Sequence, residues 1–405
     1  MDRGIRTVAL LLAVTTAVWA QANPPKGGAG KVDQAAVDAA IKKGAEFLKS
    51  RGGGFSEGFP QSELVVLTLL HADVPVNESP LEEGIKWVRE LDVEKIGFRD
   101  KTYRIGMASM ALWSLSAQNN QQKLAQFAYF LVANQGPQGE WDYGQCVELP
   151  KELKPPEEPG AIVSGGGEGG TVKLPPKKAG GGSQVQKKIP INPKRIGKDN
   201  DYSNTQYALL GLRACAEAGC VIPEKTWKDA LKNLEAGQFP EGGWGYAWLT
   251  PENMDPNATL VHGAGEEPYG SMTCSGLCGL VICRHYIKED WKKDKKVQKA
   301  KEWIGKNFSV EEHPNYKGRP MAGGKKQFYY YYLYALERAG MLADTEAFGK
   351  HDWYNEGATV LLAQQQADGS WPDDELKNGN IDDTCFAILF LKKATQPIVP
   401  KRISK

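Results

Sequence analysis

Apolar residues along this chain fall at helical spacing in paired segments, and the two members of each pair differ in polarity. The first members are residues 34–49, 81–90, 121–133, 225–235, 297–306 and 353–366. Each carries a single apolar stripe, as Ala40, Gly44, Phe47 and Leu48 do in the first of them. The second members are residues 63–71, 103–116, 205–218, 272–286, 328–339 and 384–394, and they are apolar nearly all round. A helix with one stripe lies at a surface, whereas one that is apolar on every side is buried. Six hairpins with that asymmetry predict an all-α fold of two concentric layers, with the second helices inside.

Between the members of three pairs stands one pattern, Gln-x-x-x-Gly-x-Trp: Gln135, Gly139 and Trp141; Gln238, Gly242 and Trp244; Gln365, Gly369 and Trp371. Each copy follows one helical run and precedes another. The glutamine ends a helix, the glycine lets the chain reverse, and the tryptophan supplies burial that a short turn lacks. Phe55, Phe98 and Tyr316 stand at the same point of the other hairpins. Phe55, Phe98 and Trp141 are about 43 residues apart, in the range of helical-hairpin repeats. An open solenoid needs polar caps at its ends, yet the last hairpin carries Cys385, Phe386, Ile388, Leu389, Phe390 and Leu391. Closure into an α6/α6 toroid over residues 31–398 is therefore expected.

Two stretches fall outside this pattern. Arg3 and Arg6, an apolar run from Val8 to Trp19, and small residues at Ala20 and Ala22 read as a cleavable secretory signal over residues 1–22. The run is too short to span a bilayer, so a secreted or periplasmic protein without a membrane span is expected. Residues 147–198 are rich in Gly and Pro and poor in large apolar side chains. That composition predicts a disordered insertion within the third repeat.

Charge excludes some partners. With 50 basic and 49 acidic side chains, no field draws the chain to nucleic acid or an anionic membrane. Seven cysteines without a Cys-x-x-Cys pair read as small hydrophobes filling tight core space.

The repeated turns, together with Glu356, Gly357 and Val360 to Leu362 ahead of Gln365, resemble the repeat of squalene and hopene cyclases and of protein prenyltransferase β subunits. Asn204, Thr205, Gln206, Tyr207, Ala208 and Leu209 are similar to exported bacterial proteins built from prenyltransferase and squalene oxidase repeats. The resemblance covers most of the chain outside the insertion. It implies the toroid and leaves the reaction open.

Asn380, Ile381, Asp382, Asp383, Thr384 and Cys385 resemble the Asp-x-Asp-Asp-Thr-Ala acid of squalene and hopene cyclases, in which a protonated aspartic acid attacks an alkene. The resemblance makes Asp382 the donor and Asp383 its neighbour, with Asn380 in place of the first aspartate. The same residues open a helix, where Asp and Thr satisfy free backbone N–H groups. Asn204 with Thr205 and Met272 with Thr273 stand at comparable points, which makes the threonine part of the repeat.

Aromatic side chains crowd residues 328–334 and the turn holding Trp244, Tyr246 and Trp248. Trp244, Tyr246, Tyr330, Tyr331 and Tyr334 are the candidate ligand-binding residues, because aromatic faces stabilise a carbocation or pack on an apolar ligand or sugar ring. Asp383 and Cys385 form the Asp-x-Cys of a zinc-dependent prenyltransferase, but no histidine occupies a matching helix start, so no metal and no cofactor is expected. The expected function is an exported, non-catalytic binding or scaffolding module. Its partner is an apolar or isoprenoid small molecule held in a cavity, or an exported protein. One alternative is an isoprenoid cyclase-like enzyme using Asp382 and Asp383. A second is a carbohydrate-active toroid, for which Asp373, Asp374, Glu375, Asp382 and Asp383 supply carboxylates.

Overall fold

The computed structural model describes residues 31–51, 55, 62–154, 187–198, 201–246, 267–317, 328–372 and 380–398. The signal segment 1–22, Trp248, Asp373, Asp374 and Glu375 lie outside the described residues.

Twelve α-helices alternate between two layers among the described residues. The outer layer holds α1 (Gln34–Arg51), α3 (Leu81–Glu90), α5 (Gln121–Ala133), α7 (Glu224–Gly237), α9 (Lys295–Lys306) and α11 (Trp353–Gln364). The inner layer holds α2 (Ser62–His71), α4 (Lys101–Ser116), α6 (Tyr202–Glu217), α8 (Gly270–Tyr286), α10 (Tyr329–Leu342) and α12 (Ile381–Leu391). Burial follows the polarity of the sequence. Helix α9 buries Val297, Ala300, Trp303 and Ile304 along one stripe, while α8 is buried continuously from Gly270 to Cys283. Each inner helix packs on the inner helices before and after it, and α12 returns to pack on α1 and α2. The fold is thus an α6/α6 toroid with its core between the two layers.

The three Gln-x-x-x-Gly-x-Trp turns are identical staples between neighbouring hairpins. The side-chain amide of Gln135 donates to Gly139 O and, at 2.9 Å, to Thr226 O of α7. Gln238 reaches Lys296 O of α9 in the same way, and Gln365 reaches Ala40 O of α1. The glycines have φ of 105°, 107° and 95°, which side chains rarely adopt. A Cβ on them would stand 2.3 Å from Asp229 O, 2.3 Å from Lys299 O and 2.4 Å from Lys43 O. Each tryptophan indole N–H donates to a carbonyl of its own outer helix, Leu131, Leu234 or Leu361. The third staple grips α1, and so it closes the ring.

The insertion is more ordered at its ends than its composition predicts. Val147, Leu149, Leu153 and Ile191 are buried, and Ile189–Pro190 pairs in parallel with Cys220–Val221. These scattered apolar side chains anchor the two ends: Val147 N donates to Val93 O, and Gln126 of α5 donates to Leu153 O. Residues 155–186 of the segment lie outside the described residues. All seven cysteines are free and six are buried. Burial pushes the Cys220 and Cys278 thiols up to about 12.

Candidate functional site

The two carboxylates singled out in the sequence open α12. Asp382 and Asp383 are 2% and 1% exposed, and the residue before the helix, Asn380, has φ 67°. Asp382 lies one helical turn before Phe386, whose ring meets Tyr331 at 5.8 Å and Tyr334 at 5.9 Å. Side chains four apart share a helix face, so Asp382 stands on the flank of α12 that faces the ring axis. Asp383 is rotated by one residue toward the side of Phe390.

Thr384 does not cap its own helix. Its Oγ1 accepts from Trp371 N at 3.1 Å, as Thr205 accepts from Trp141 N and Thr273 from Trp244 N. The threonine therefore ties each inner helix to the staple before it. Asn380 makes no cap bond either, and its amide donates to Ser370 Oγ at 3.4 Å.

Only part of the aromatic set comes together. Tyr331 and Tyr334 reach the axis. Tyr330 turns outward and donates to Gln364 of α11 at 3.0 Å. Trp244 is fully buried in its staple, where a ligand cannot touch it. Tyr246 sits at the mouth formed by the N-terminal ends of the inner helices, where its hydroxyl bonds the Asp201 carboxylate. Tyr330 and Trp244 thus leave the candidate ligand set: one points the wrong way round its helix, and the other is consumed by packing.

Side chains from non-adjacent inner helices interlock across the axis. Tyr103 of α4 bonds Ser203 of α6, and Ser203 meets the Tyr331 hydroxyl of α10 at 3.3 Å. Gln206 donates to the same hydroxyl at 2.9 Å, while Arg338 donates to Gln206 Oε1 at 2.8 Å. The Arg338 guanidinium lies 4.0 Å from the centre of the Tyr334 ring and 5.4 Å from that of Tyr207. Toward the opposite mouth, a cavity of about 30 Å³ remains, bordered by Leu67, Trp113, Arg213 and Tyr334. Pockets for small molecules are typically on the order of 300–1,000 Å³.

Asp201, Arg213 and Arg338 were not singled out in the sequence. An arginine inside a largely apolar run was the available signal for Arg213, and the adjacent opposite charges Glu337 and Arg338 were the signal for the last. Asp201 was hidden because α6 begins at Tyr202, earlier than its periodicity suggests.

Asp201 caps α6 by accepting from Asn204 N at 2.7 Å and Asn204 Nδ2 at 2.9 Å. Burial pushes its carboxyl up to about 6, against these bonds and the one from Tyr246. The folded state then keeps a proton that the unfolded chain loses near its ordinary value of 3.8. Stability is highest below that value and falls as pH rises through about 6, by on the order of 3 kcal/mol. Asp201→Asn, which still caps, is expected to flatten that part of the profile. Urea unfolding at pH 4 and pH 7 measures it, and an unchanged slope would contradict the assignment.

Among the described residues no three His, Cys, Asp or Glu side chains are placed to hold a metal ion. No described helix is long and apolar enough to cross a membrane.

No protein-family model and no curated protein matches the chain. Among solved structures it is similar to the type II terpene cyclase MstE from Scytonema. The unliganded enzyme is 13% identical, with 89% of this chain and 99% of that chain covered at a TM-score of 0.45. A variant bound to its substrate, geranylgeranyl dihydroxybenzoate, is 12% identical, with 89% and 98% covered and a TM-score of 0.48. A variant bound to its product, merosterolic acid A, is 12% identical, with 89% and 97% covered and a TM-score of 0.48. At this identity and TM-score the likeness assigns no reaction to this chain.

Proposed function

We propose that this chain is an exported binding or scaffolding toroid whose axis serves as a rigid strut. The observation that supports this reading is the chain of contacts from Tyr103 through Ser203, Tyr331 and Gln206 to Arg338, which crosses the centre of the ring. A cyclase needs a ligand-sized pocket. Here side chains from three inner helices occupy the centre and hold one another by hydrogen bonds.

A second reading has its own support. Asp382 is buried on the axial flank of α12 beside Phe386, an arrangement suited to protonating an alkene and sheltering the resulting cation against aromatic faces. This is the class of the solved structures named above. It requires the Tyr331 and Tyr334 side chains to withdraw when substrate enters.

Squalene and a geranylgeranyl arene, each incubated with the purified chain and extracted, separate the two readings. The scaffold reading expects no cyclised product and no isoprenoid co-purifying in native mass spectra. Product that forms with the wild type and vanishes with Asp382→Asn would overturn it in favour of the cyclase.

A further inference from the structure

The mouth formed by the C-terminal ends of the inner helices is crossed by the chain itself. Past α12, Ala394 N bonds back to Leu389 O, which ends the helix. Thr395 then donates to the Glu337 carboxylate of α10, through its N at 2.9 Å and through its Oγ1 at 2.7 Å. The carbonyl of the next residue, Gln396, accepts from Arg213 Nη2 of α6 at 2.5 Å. Helix α6 stands three places from α12 around the ring, so residues 394–398 span the opening as a strap. Beneath the strap lies the axial cavity of about 30 Å³, which Thr395 and Gln396 help to line.

Side chains of the ring read the main chain of this strap. Among the described residues, no backbone–backbone hydrogen bond holds it after Ala394. Ala394, Thr395 and Ile398 are buried, whereas Gln396 is half-buried and Pro397 is exposed. Recognition therefore falls on a small residue, a hydroxyl residue and an aliphatic one, in the order small-Thr-x-x-Ile. Glu217 and Glu337 both act electrostatically on the Arg213 guanidinium, so the mouth carries charges of both signs. A carboxylate that takes an N–H and a hydroxyl, beside a guanidinium that takes a carbonyl, fits a neutral polypeptide rather than an ion or a hydrocarbon. A segment tied by so few bonds opens at a lower free energy than the helices around it.

We propose that this mouth is a peptide-recognition site occupied by the chain's own C-terminal segment, and that its partner is a neutral, unfolded segment of an exported protein with the same small-Thr-x-x-aliphatic order, which displaces the strap. The proposal rests on the reading of the chain as a binding module and names the chemistry of the partner.

Fluorescence anisotropy of a labelled peptide of residues 393–398, capped at its C-terminus, tests it on the full chain. Tethering gives the strap an effective concentration in the millimolar range, so the wild type is expected to bind the peptide weakly. Thr395→Val with Ile398→Asp loosens the strap and leaves the mouth intact, and this full-length variant is expected to bind the peptide at least tenfold more tightly than the wild type. A peptide carrying Thr395→Val is expected to bind the same variant at least tenfold more weakly, because it lacks the hydroxyl that Glu337 takes. In the wild type, the Thr395 amide is expected to exchange with solvent faster than the core amides of α10 and α12, which nuclear magnetic resonance reads without any variant. The proposal is overturned if the loosened variant binds no more tightly than the wild type, if the valine peptide binds equally well, or if the Thr395 amide exchanges only on global unfolding. Conversion of a polyprene would be read at Asp382, near the other mouth, so it would sink the scaffold reading and leave this titration standing. A failed titration would leave the strut across the axis intact.

Discussion

Trp371→Ala is expected to destabilise the protein by about 3–5 kcal/mol, as much as the same change at Trp244. Both indoles are fully buried, and both donate through Nε1 to a carbonyl of their own outer helix at 2.9 Å. Trp371 has a further contact that decides the architecture. A Cβ on Gly44 of α1 would come within 2.9 Å of its ring, so the last staple packs directly onto the first helix. Truncation leaves a cavity across that seam and frees the Thr384 tie from its packing. In an open solenoid the terminal staple carries less than an internal one, because it has no neighbour beyond it. Urea unfolding of the two variants compares them. A cost below about 1 kcal/mol at Trp371 with the full cost at Trp244 would exclude the closed ring. Gly369→Ala probes the same seam, since its Cβ would meet Lys43 O at 2.4 Å and its φ of 95° disfavours any side chain.

The architecture was legible because each level of the sequence agrees with the next. One-stripe and all-apolar helices alternate, and the staples recur at the joins. The site was less legible, and the reason lies in the same inner helices. Where nearly every residue from Tyr329 to Leu342 is apolar or aromatic, periodicity cannot say which side faces the axis. Tyr330 and Tyr331 are therefore indistinguishable in sequence, although one bonds α11 and the other bonds α6. Thr384 reads as a cap because its partner, Trp371 N, lies on the preceding turn, and local propensity carries no information about that bond. Arg213 was visible as a lone cation in an apolar run, but its bond to Gln396 O, beyond the end of α12, emerges only from the packing.

Arg104→Leu is expected to cost about 3–5 kcal/mol, and Glu63→Leu with Arg104→Leu to recover most of that loss. Arg104 Nε lies 3.0 Å from both carboxylate oxygens of Glu63, and the two residues are 2% and 0% exposed. They join α2 to α4 inside the ring, and the guanidinium also lies 3.7 Å from the centre of the Phe98 ring. Removing Arg104 leaves a buried carboxyl that must either keep its proton or carry an unpaired charge, whereas removing both leaves an apolar contact between two inner helices. A double-mutant cycle therefore reports a large coupling. The pH dependence supplies a check that packing loss alone would not. Burial pushes Glu63 up to about 7, and Arg104 is the strongest opposing pull. Without Arg104 the folded-state value rises further, so the folded protein holds a proton that the unfolded chain releases near 4.5. The penalty in Arg104→Leu is then smallest at pH 5 and grows toward pH 8. An equal loss at both pH values would mean that the pair contributes shape alone, and the electrostatic account of this joint would fail.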